Sequence, residues 1–322
     1  MKKKITNRNR KNQFFPDLHM NNVILKIVKL GRFEFILGGF LFFSAGALLA
    51  LLLNAEFNLN KFLWGYAALF TAQLSVSYSN DYFDFDVDKL SKPTRFSGGS
   101  GILIDNPELR KFSKKFALAL MGISLVIVTF STITFNLPLS FFLLILFGNV
   151  LGWYYSAPPF KLSYRGFSEL ATVLTGFIVP AVGYVVLMGK LDLSFLIFVI
   201  PLMLYELFYI INLEIPDMEA DKFGGKKNLV VAYGRRLAFI ISAGTALLAT
   251  LVYIFISQTK LYPSNINFGI IAILSLIPLF IGILIAMKKP INRTNATKGV
   301  NYNLISLSLF IILINTYFLH QL

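Results

Sequence analysis

The chain has 322 residues, of which 56% are hydrophobic and only 14% are charged, and its mean hydropathy is +0.68. A soluble domain usually carries about 25% charged residues, so this composition argues against a water-soluble fold and favours a membrane protein. The absence of cysteine excludes disulfides, thiolate metal sites and cysteine nucleophiles. Two histidines, His19 and His320, make a histidine-based metal site or catalytic triad improbable.

Nine apolar stretches follow one another along the chain, and each is near the ~20 residues that a helix needs to cross the hydrocarbon of a bilayer. They lie at about 33–54, 60–79, 116–135, 139–157, 167–188, 193–213, 237–257, 266–287 and 301–320. The sequence therefore predicts an all-α membrane protein with nine transmembrane helices.

The basic residues alternate between the two ends of these stretches. The segment before the first stretch and the even-numbered connections hold 27 of the 30 Lys and Arg residues, and the odd-numbered connections hold Lys61, Lys190 and Lys260. This alternation predicts a cytoplasmic N-terminus and cytoplasmic even-numbered connections. The formal charge of +14 then marks a membrane face that meets anionic lipid or a phosphorylated substrate, and we expect no nucleic-acid partner. Residues 1–30 are predicted to form a basic cytoplasmic arm, which lacks the features of a cleaved signal peptide, and residues 31–322 a single nine-span domain.

Half of the 16 acidic residues lie in two octets, DYFDFDVD at 81–88 and EIPDMEAD at 214–221. Both octets have acids at their first, fourth, sixth and eighth positions, and both follow an even-numbered stretch. The second octet begins 133 residues after the first, which corresponds to four spans with their connections. This spacing predicts two pseudo-repeated four-helix units, about 31–157 and 166–287, with a ninth helix appended.

Helical geometry separates the acids within each octet. At 100° per residue, Asp81, Asp84 and Asp88 lie within an arc of about 60°, whereas Asp86 points to the far side. The second octet has the same arrangement, with three acids on one face and one pointing away: Glu214, Asp217, Asp221 and, on the other side, Glu219. Pro216 makes the position of the first of these acids the least secure, because proline favours a first turn or a kink.

Clustered carboxylates repel one another, so a cation must compensate their charge. Neither octet contains Lys or Arg, which favours a metal ion, and oxygen ligands of this kind suit Mg²⁺. A calcium loop would need glycine at its sixth position and glutamate at its twelfth, where Lys89 and Arg95 stand. Two matched octets also argue against a merely solvated acidic run. The candidate ligands from the residues alone are the acids on the two shared faces: Asp81, Asp84 and Asp88, and Glu214, Asp217 and Asp221.

Three blocks of the sequence resemble motifs of the UbiA-type intramembrane prenyltransferases. The NDYFD-x-x-x-D stretch at 80–88 resembles their first aspartate motif, and D-x-x-x-D at 217–221, followed by KFGGKKNL, resembles the second. YYSAPPFK at 154–161 with YRG at 164–166 resembles the loop after the fourth span. The resemblance covers roughly residues 30–320. It implies a helical bundle around a central cavity, in which Mg²⁺ and a prenyl diphosphate are bound and the prenyl group is transferred with release of pyrophosphate.

The resemblance also implies roles for individual residues. Together with Asn80, five aspartates would be the metal ligands and hold the diphosphate: Asp81, Asp84, Asp88, Asp217 and Asp221. Of these, Asp84 and Asp217 would be essential for catalysis. Cationic side chains stabilise a departing pyrophosphate, and the candidates are Lys89, Lys92, Arg95, Lys161, Arg165, Lys222, Lys226 and Lys227. Lys161 and Arg165 rank first, because they are the only basic residues in a short loop beside the site.

Aromatic walls would stabilise an allylic cation, and the candidates are Tyr82, Phe83, Tyr154, Tyr155, Tyr205 and Tyr209. Among these, Tyr154 and Tyr155 are predicted to bind substrate. Glu206 lies inside the sixth span, where an ionisable residue is functional by default. We expect it to orient the acceptor or to take its proton.

The acceptor is less well defined than the donor. The SGGSG segment at 97–101 is more like the branch that prenylates 1,4-dihydroxy-2-naphthoate, which favours an aromatic quinone precursor. This segment can offer backbone N–H groups to phosphate, act as a lid or be a plain turn. Asn228 stands where the family usually has Thr or Ser. The alternatives are a geranylgeranylglyceryl phosphate prenyltransferase with a lipid acceptor and, in another class, a transporter, although transporter sites lie near the bilayer midplane.

Overall fold

The computed structural model describes residues 16–94 and 96–322. Half of the predicted basic arm and the predicted contact of Arg95 therefore lie outside the described residues. The described chain contains thirteen α-helices and no β-strand. In chain order they are α1 (Pro16–Leu30), α2 (Phe33–Leu52), α3 (Leu59–Phe83), α4 (Phe85–Asp88), α5 (Ile102–Asp105), α6 (Arg110–Thr134), α7 (Leu139–Ser156), α8 (Ser168–Met188), α9 (Leu193–Glu214), α10 (Met218–Gly224), α11 (Leu229–Ser257), α12 (Phe268–Lys288) and α13 (Arg293–Gln321).

Eight segments in the described part of the chain are long and apolar enough to cross a membrane. They are α2, Pro107–Thr134 with α6, α7, α8, Leu193–Gly224 with α9 and α10, α11, α12 and α13. The predicted span at 60–79 is also a helix, the 25-residue α3, but it is not among the eight. Its second half carries polar residues such as Gln73, Asn80 and Asp81, which lower its apolarity. The all-α membrane fold is thus confirmed, whereas the count of nine spans stays a prediction.

The outer surface of the helices is apolar. Val126, Ile133, Phe255 and Met287 are each two-thirds or more exposed, although large apolar side chains are normally buried in water-soluble proteins. A hydrocarbon environment accounts for this surface, because lipid removes the cost of exposing such side chains. The protein is therefore an integral membrane protein.

Close packing and buried hydrogen bonds join the helices. A Cβ placed on Gly46 of α2 would lie 1.9 Å from the carbonyl oxygen of Pro180 in α8, so only glycine permits this crossing. Asn212 of α9 donates to the Ser242 hydroxyl of α11 at 2.7 Å, and Asn303 of α13 donates to the Asn212 oxygen at 2.8 Å. All three side chains are buried, so these bonds fix the relative positions of the three helices.

The packing order brings the two halves of the chain together. α2 packs on α8, α3 on α6 and α7, and α9 on α8 and α11, while α13 contacts both α12 and α2. Within each half, α3 packs on α6 and α9 packs on α11, whereas the α2–α8 contact joins the halves. The unit boundaries at about 31–157 and 166–287, like the single domain 31–322, stay predictions.

Candidate active site

The two acidic octets line one cavity of about 450 Å³. The acids that face it are Asp81, Asp84 and Asp88 from the first octet and Glu214, Asp217 and Asp221 from the second. Along α3 the lining runs from Asp81 back to Leu69, which is roughly 18 Å of helix. The wall beyond the acids is largely apolar and includes Phe42, Leu69, Ile178, Leu304, Leu307 and Ile311. The cavity thus combines an acidic end with a long apolar section.

The octets are not continuous helices, which corrects the geometry assumed from the sequence. In the first octet α3 ends at Phe83 and α4 begins at Phe85, so Asp84 lies between two helices. In the second, α9 ends at Glu214 and a single 3₁₀ turn precedes α10, as the proline at position 216 requires. The same acids still share a face, because each break is short enough to preserve the direction of the following turn.

Asp84 has the most contacts of the first octet. Its Oδ1 accepts from the hydroxyl of Tyr164 at 2.9 Å. Its Oδ2 accepts from the hydroxyl of Ser156 at 3.0 Å and from Nζ of Lys226 at 3.2 Å. The carboxylate is buried, so these three donors fix its orientation at the cavity surface.

The segment at 97–101 contacts the other two cavity-facing acids of the first octet, Asp81 and Asp88. The backbone N–H of Ser100 donates to Oδ2 of Asp81 at 3.2 Å, and its hydroxyl donates to the same oxygen. Gly99 (φ +66°) lies against Asp88, since a Cβ there would be 2.3 Å from Oδ2 of that carboxylate. Burial, together with the negative charges of Asp84 and Asp81, raises the pKa of Asp88 to about 8. The glycine-rich segment therefore positions acidic groups.

The second octet is held by residues from distant parts of the chain. Oδ1 of Asp217 accepts from the hydroxyl of Ser91 at 2.5 Å and lies 3.8 Å from Nη2 of Arg293. Oδ2 of Asp221 accepts from the side-chain amide of Asn228 at 2.8 Å. The Asn228 side chain also caps α11, because its oxygen accepts from the backbone N–H of Val231 at 2.8 Å. It therefore connects the second octet to the start of α11.

Lys226 joins the two octets. Its Nζ lies 3.2 Å from Oδ2 of Asp84 and 3.4 Å from Oδ1 of Asp221. Burial alone would lower the pKa of this ammonium, but the two carboxylates outweigh burial and raise the pKa well above its ordinary value. The sequence argument assigned all charge compensation to metal because no basic residue stands inside an octet. The structure corrects this, since a lysine just beyond the second octet supplies part of it.

Two acids of the octets lie outside the cavity, as the helical geometry predicts. Asp86 is 73% exposed and pairs with Lys89 at 3.3 Å and with Arg110 at 3.7 Å. Glu219 forms a two-pronged ion pair with the buried guanidinium of Arg235. Both carboxylates thus form ion pairs outside the cavity that the other six acids line.

The remaining predicted site residues divide into two groups. Asn80, Tyr155, Glu206 and Lys226 line the cavity. Tyr154, Lys161, Arg165 and Lys222 do not.

The substrate contacts predicted in and next to the loop after α7 do not line the cavity. Arg165 is exposed and donates to the carbonyl oxygen of Pro159 at 3.0 Å, and Nζ of the exposed Lys161 lies 5.1 Å from the centre of the Tyr164 ring. Tyr154 packs edge-on against Phe160. Lys161 and Arg165 thus lie outside the cavity lining, and the diphosphate contacts assigned to them stay predictions.

Several residues that donate hydrogen bonds to the acids were not among the predicted site residues. Ser156 and Tyr164 belong to the block that resembles the family's loop after the fourth span, so the resemblance could have identified them. Ser100 belongs to the 97–101 segment, and Ser91 precedes that segment by six residues. Arg293, the first residue of α13, lies 3.8 Å from Asp217 and also donates to the Pro216 carbonyl oxygen at 2.8 Å, a contact for which the sequence gives no local signal.

The acidic end suits Mg²⁺ bound together with a substrate. Within residues 16–94 and 96–322, no three acidic side chains form a ready-made metal cage. Mg²⁺ typically takes one or two carboxylates and completes its shell with water and phosphate oxygens, so separate carboxylates around one cavity satisfy its needs. Two buried oxygens that face the cavity, Oδ1 of Asn80 and Oε2 of Glu214, have no hydrogen-bond partner among the described residues. Such acceptors are suited to a hydrated cation.

Comparison with known proteins identifies the family. The model of the UbiA prenyltransferase family matches residues 40–311, most of the chain. The chain belongs to the UbiA prenyltransferase family. The resemblance seen in the aspartate motifs is thereby confirmed, and the members of this family are prenyltransferases.

Individual relatives agree with this assignment. The 1,4-dihydroxy-2-naphthoate octaprenyltransferase of Bacillus subtilis is 25% identical over 175 residues, which are 54% of this chain and 55% of that protein. The match thus spans about half of the curated relative. A digeranylgeranylglyceryl phosphate synthase structure has a TM-score of 0.63 at 19% identity, covering 92% of this chain and 98% of that one. A UbiA homologue from Archaeoglobus fulgidus bound to DMAPP and Mg²⁺ has a TM-score of 0.63 at 16% identity, covering 88% and 99%. These two structures establish the likeness of fold.

Proposed function

We propose that this UbiA-family protein transfers a prenyl group from a prenyl diphosphate to an aromatic quinone-precursor acceptor, with Mg²⁺ and with release of pyrophosphate. One observation carries the proposal: two acidic octets 133 residues apart line a single cavity whose other wall is apolar. Carboxylates alone would repel a diphosphate, so a divalent cation between them is required. An apolar wall beside such a site suits the hydrocarbon of a prenyl diphosphate.

At the acidic end, Asp81, Asp84, Asp88, Asp217 and Asp221 are the proposed metal ligands. When bound, Mg²⁺ acts as a Lewis acid and stabilises the negative charge on the departing pyrophosphate. Ser100, Tyr164 and Asn228 hold the ligand carboxylates in place, which reduces the reorganisation that binding requires.

Lys226 is the proposed diphosphate contact of the protein itself. Its ammonium already lies between the two octets, where the charge of the leaving group develops, and a cation placed there stabilises the transition state. Asn80 lines the same end and offers its amide to the diphosphate.

The transfer breaks the bond between the first prenyl carbon and the diphosphate oxygen and forms a bond from that carbon to the acceptor. The faces of Tyr155 and Tyr209, which line the cavity, are suited to the positive charge that develops on the allylic carbon. The apolar wall excludes water, which would otherwise capture the prenyl group. Glu206 lines the cavity on α9, and we propose that it orients the acceptor and takes the proton that the acceptor loses.

The acceptor class rests on the relatives and on the 97–101 segment. The Bacillus subtilis relative is named for 1,4-dihydroxy-2-naphthoate, an aromatic quinone precursor. A second candidate acceptor is a geranylgeranylglyceryl phosphate lipid, because a digeranylgeranylglyceryl phosphate synthase shares the fold over 92% of this chain.

Purified protein in detergent or nanodiscs, supplied with Mg²⁺, a long prenyl diphosphate and each acceptor in turn, tests the proposal. We expect pyrophosphate release and a prenylated product by mass spectrometry, both lost with EDTA and restored by Mg²⁺. Movement of substrate across a proteoliposome membrane without any product would favour the transporter alternative instead.

A further inference from the structure

A glutamate outside the cavity connects α8 to the start of α11. Glu169 lies in the first turn of α8, and its side chain does not line the cavity. Its Oε1 accepts from the backbone N–H of Leu229, the first residue of α11. Its Oε2 accepts from the hydroxyl of the buried Ser168 at 2.9 Å. Both carboxylate oxygens of this half-buried side chain are therefore engaged by donors of the protein itself.

The contact between Glu169 and α11 is favourable for an electrostatic reason. The first N–H groups of a helix have no partner within the helix, and this end of a helix carries a partial positive charge. Two side chains satisfy the first turn of α11, since Glu169 accepts from Leu229 and Asn228 accepts from Val231 at 2.8 Å. A carboxylate from another helix thus helps to fix where α11 begins.

The residues just before α11 carry the lysine that bridges the octets. Nζ of Lys226 lies 3.2 Å from Oδ2 of Asp84 and 3.4 Å from Oδ1 of Asp221. The backbone N–H of Lys226 donates to the carbonyl oxygen of Asp221 at 2.9 Å, which attaches this segment to the second octet. Lys226 stands three residues before Leu229, so the bond from Leu229 to Glu169 attaches the other end of the segment to α8.

The loop that leads into α8 contacts the same lysine segment. Tyr164 of this loop donates to Asp84 at 2.9 Å, and the centre of its ring lies 5.6 Å from Nζ of Lys226. A Cβ placed on Gly166 would lie 3.2 Å from the carbonyl oxygen of Lys227, so the two backbones pack closely. Asp84 therefore receives donors from two segments that pack on each other.

We infer that Glu169 is a positioning residue, which holds Leu229 and thereby keeps the ammonium of Lys226 between the two octets. This inference rests on the proposed function, in which Lys226 contacts the diphosphate. A lysine side chain has a flexible four-carbon stem, so the place of its ammonium depends on how firmly its backbone is held. A small displacement of a group that contacts the reacting centre lowers the rate, and supporting hydrogen bonds prevent it.

Binding of inorganic pyrophosphate with Mg²⁺ tests this inference without turnover. Titration calorimetry of the protein in nanodiscs compares the wild type with Glu169→Ala and Glu169→Gln. We expect Glu169→Ala to weaken binding about tenfold, because the lysine segment loses its attachment to α8. Glu169→Gln keeps an oxygen acceptor for Leu229 and should stay within about threefold of the wild type. Glu56→Ala, an exposed glutamate between α2 and α3, is the matched control and should bind as the wild type does.

A double-mutant cycle with Lys226→Met shows whether the glutamate acts through the lysine. In the Lys226→Met background, Glu169→Ala should change pyrophosphate binding less than about twofold, because the group that it positions is gone. A further tenfold loss in that background would mean that Glu169 only stabilises the fold, and the inference would be wrong. Equal weakening by Glu169→Gln and Glu169→Ala would also overturn it.

Thermal unfolding of each variant shows that folded proteins are compared. If Glu169→Ala does not fold, Glu169→Met takes its place in both tests, because it keeps the length of the side chain and removes the acceptor oxygens.

Steady-state kinetics distinguish failure of this inference from failure of the proposed function. Glu169→Ala should raise KM for the prenyl diphosphate about tenfold and leave KM for the acceptor within about twofold. Product formation with additive effects in the cycle refutes the positioning role and leaves the function standing. Coupled effects on pyrophosphate binding, without product from any acceptor, have the reverse meaning. Absence of Mg²⁺-dependent pyrophosphate binding in the wild type would overturn both.

Discussion

Nζ of Lys226 lies 3.2 Å from Oδ2 of Asp84, a residue 142 positions earlier in the chain. The same ammonium lies 3.4 Å from Asp221, so one side chain bridges the two acidic octets. This cation holds together carboxylates that would otherwise repel each other, and it stands at the acidic end, where we propose that the diphosphate binds. The structural role of Lys226 and its proposed role in substrate binding can be measured separately.

Lys226→Met should lower both the stability of the metal-free protein and the rate of transfer. Loss of the bridging charge leaves Asp84 and Asp221 to repel each other, so the midpoint of thermal unfolding without Mg²⁺ should fall, and added Mg²⁺ should restore more of it than in the wild type. Pyrophosphate release should fall about tenfold or more. Lys298→Met, an exposed lysine on α13, is the control. An unchanged unfolding midpoint in metal-free Lys226→Met would contradict the bridging role.

Asp84→Ala and Asp217→Ala should abolish turnover, whereas Asp86→Ala should be mild. The first two carboxylates face the cavity, but Asp86 is 73% exposed and contacts only surface cations. Pyrophosphate release by purified variants measures the difference. Equal inactivation by Asp86→Ala and Asp84→Ala would show that the assignment of faces is wrong.

Glu219→Ala should separate stability from activity. The carboxylate of Glu219 does not line the cavity, so turnover per folded molecule should stay near that of the wild type. Its partner Arg235 is buried, with 4% of the side chain exposed, and loses its counter-charge, so the unfolding midpoint should fall. Activity and thermal unfolding on the same preparation test both halves. A fall in specific activity at unchanged stability would place this acid in the site.

Tyr164→Phe should reduce kcat/KM for the prenyl diphosphate about tenfold. The change removes only the hydroxyl that donates to Asp84 at 2.9 Å, and a hydrogen bond to a charged group has about this effect. The apparent affinity for Mg²⁺ should weaken in parallel, because Asp84 loses part of its orientation. Tyr302→Phe, an exposed tyrosine, is the matched control. If Tyr164→Phe behaves like Tyr302→Phe, this hydroxyl has no part in the site.

Accessibility labelling should settle the number of spans and their orientation. The chain has no cysteine, so single cysteines at Lys61, Lys190 and Lys298 can be labelled in intact cells with a membrane-impermeant maleimide. With nine spans and a cytoplasmic N-terminus, the first two sites are labelled from outside and the third only after lysis. Labelling at Lys190 but not at Lys61 would mean that α3 does not separate the sides of the membrane as predicted.

The sequence by itself determined the membrane class, the helices and the acids of the site. Length and apolarity specify a spanning helix locally, because every backbone group must be satisfied within the segment. The acid pattern is also local, since its four positions lie within eight residues in each octet. It also separated Asp86 and Glu219 from the other acids, because the direction of a side chain over one or two turns depends on helical period alone.

Only the tertiary structure decided which basic and polar residues meet those acids. The sequence ranked Lys161 and Arg165 first because they lie in a short loop beside the site. In the structure Lys226 bridges the octets, and Arg293 at the start of α13 lies near Asp217. These contacts join residues far apart in the chain, so they depend on how α2, α3, α9 and α13 pack, and local propensity carries no information about that packing.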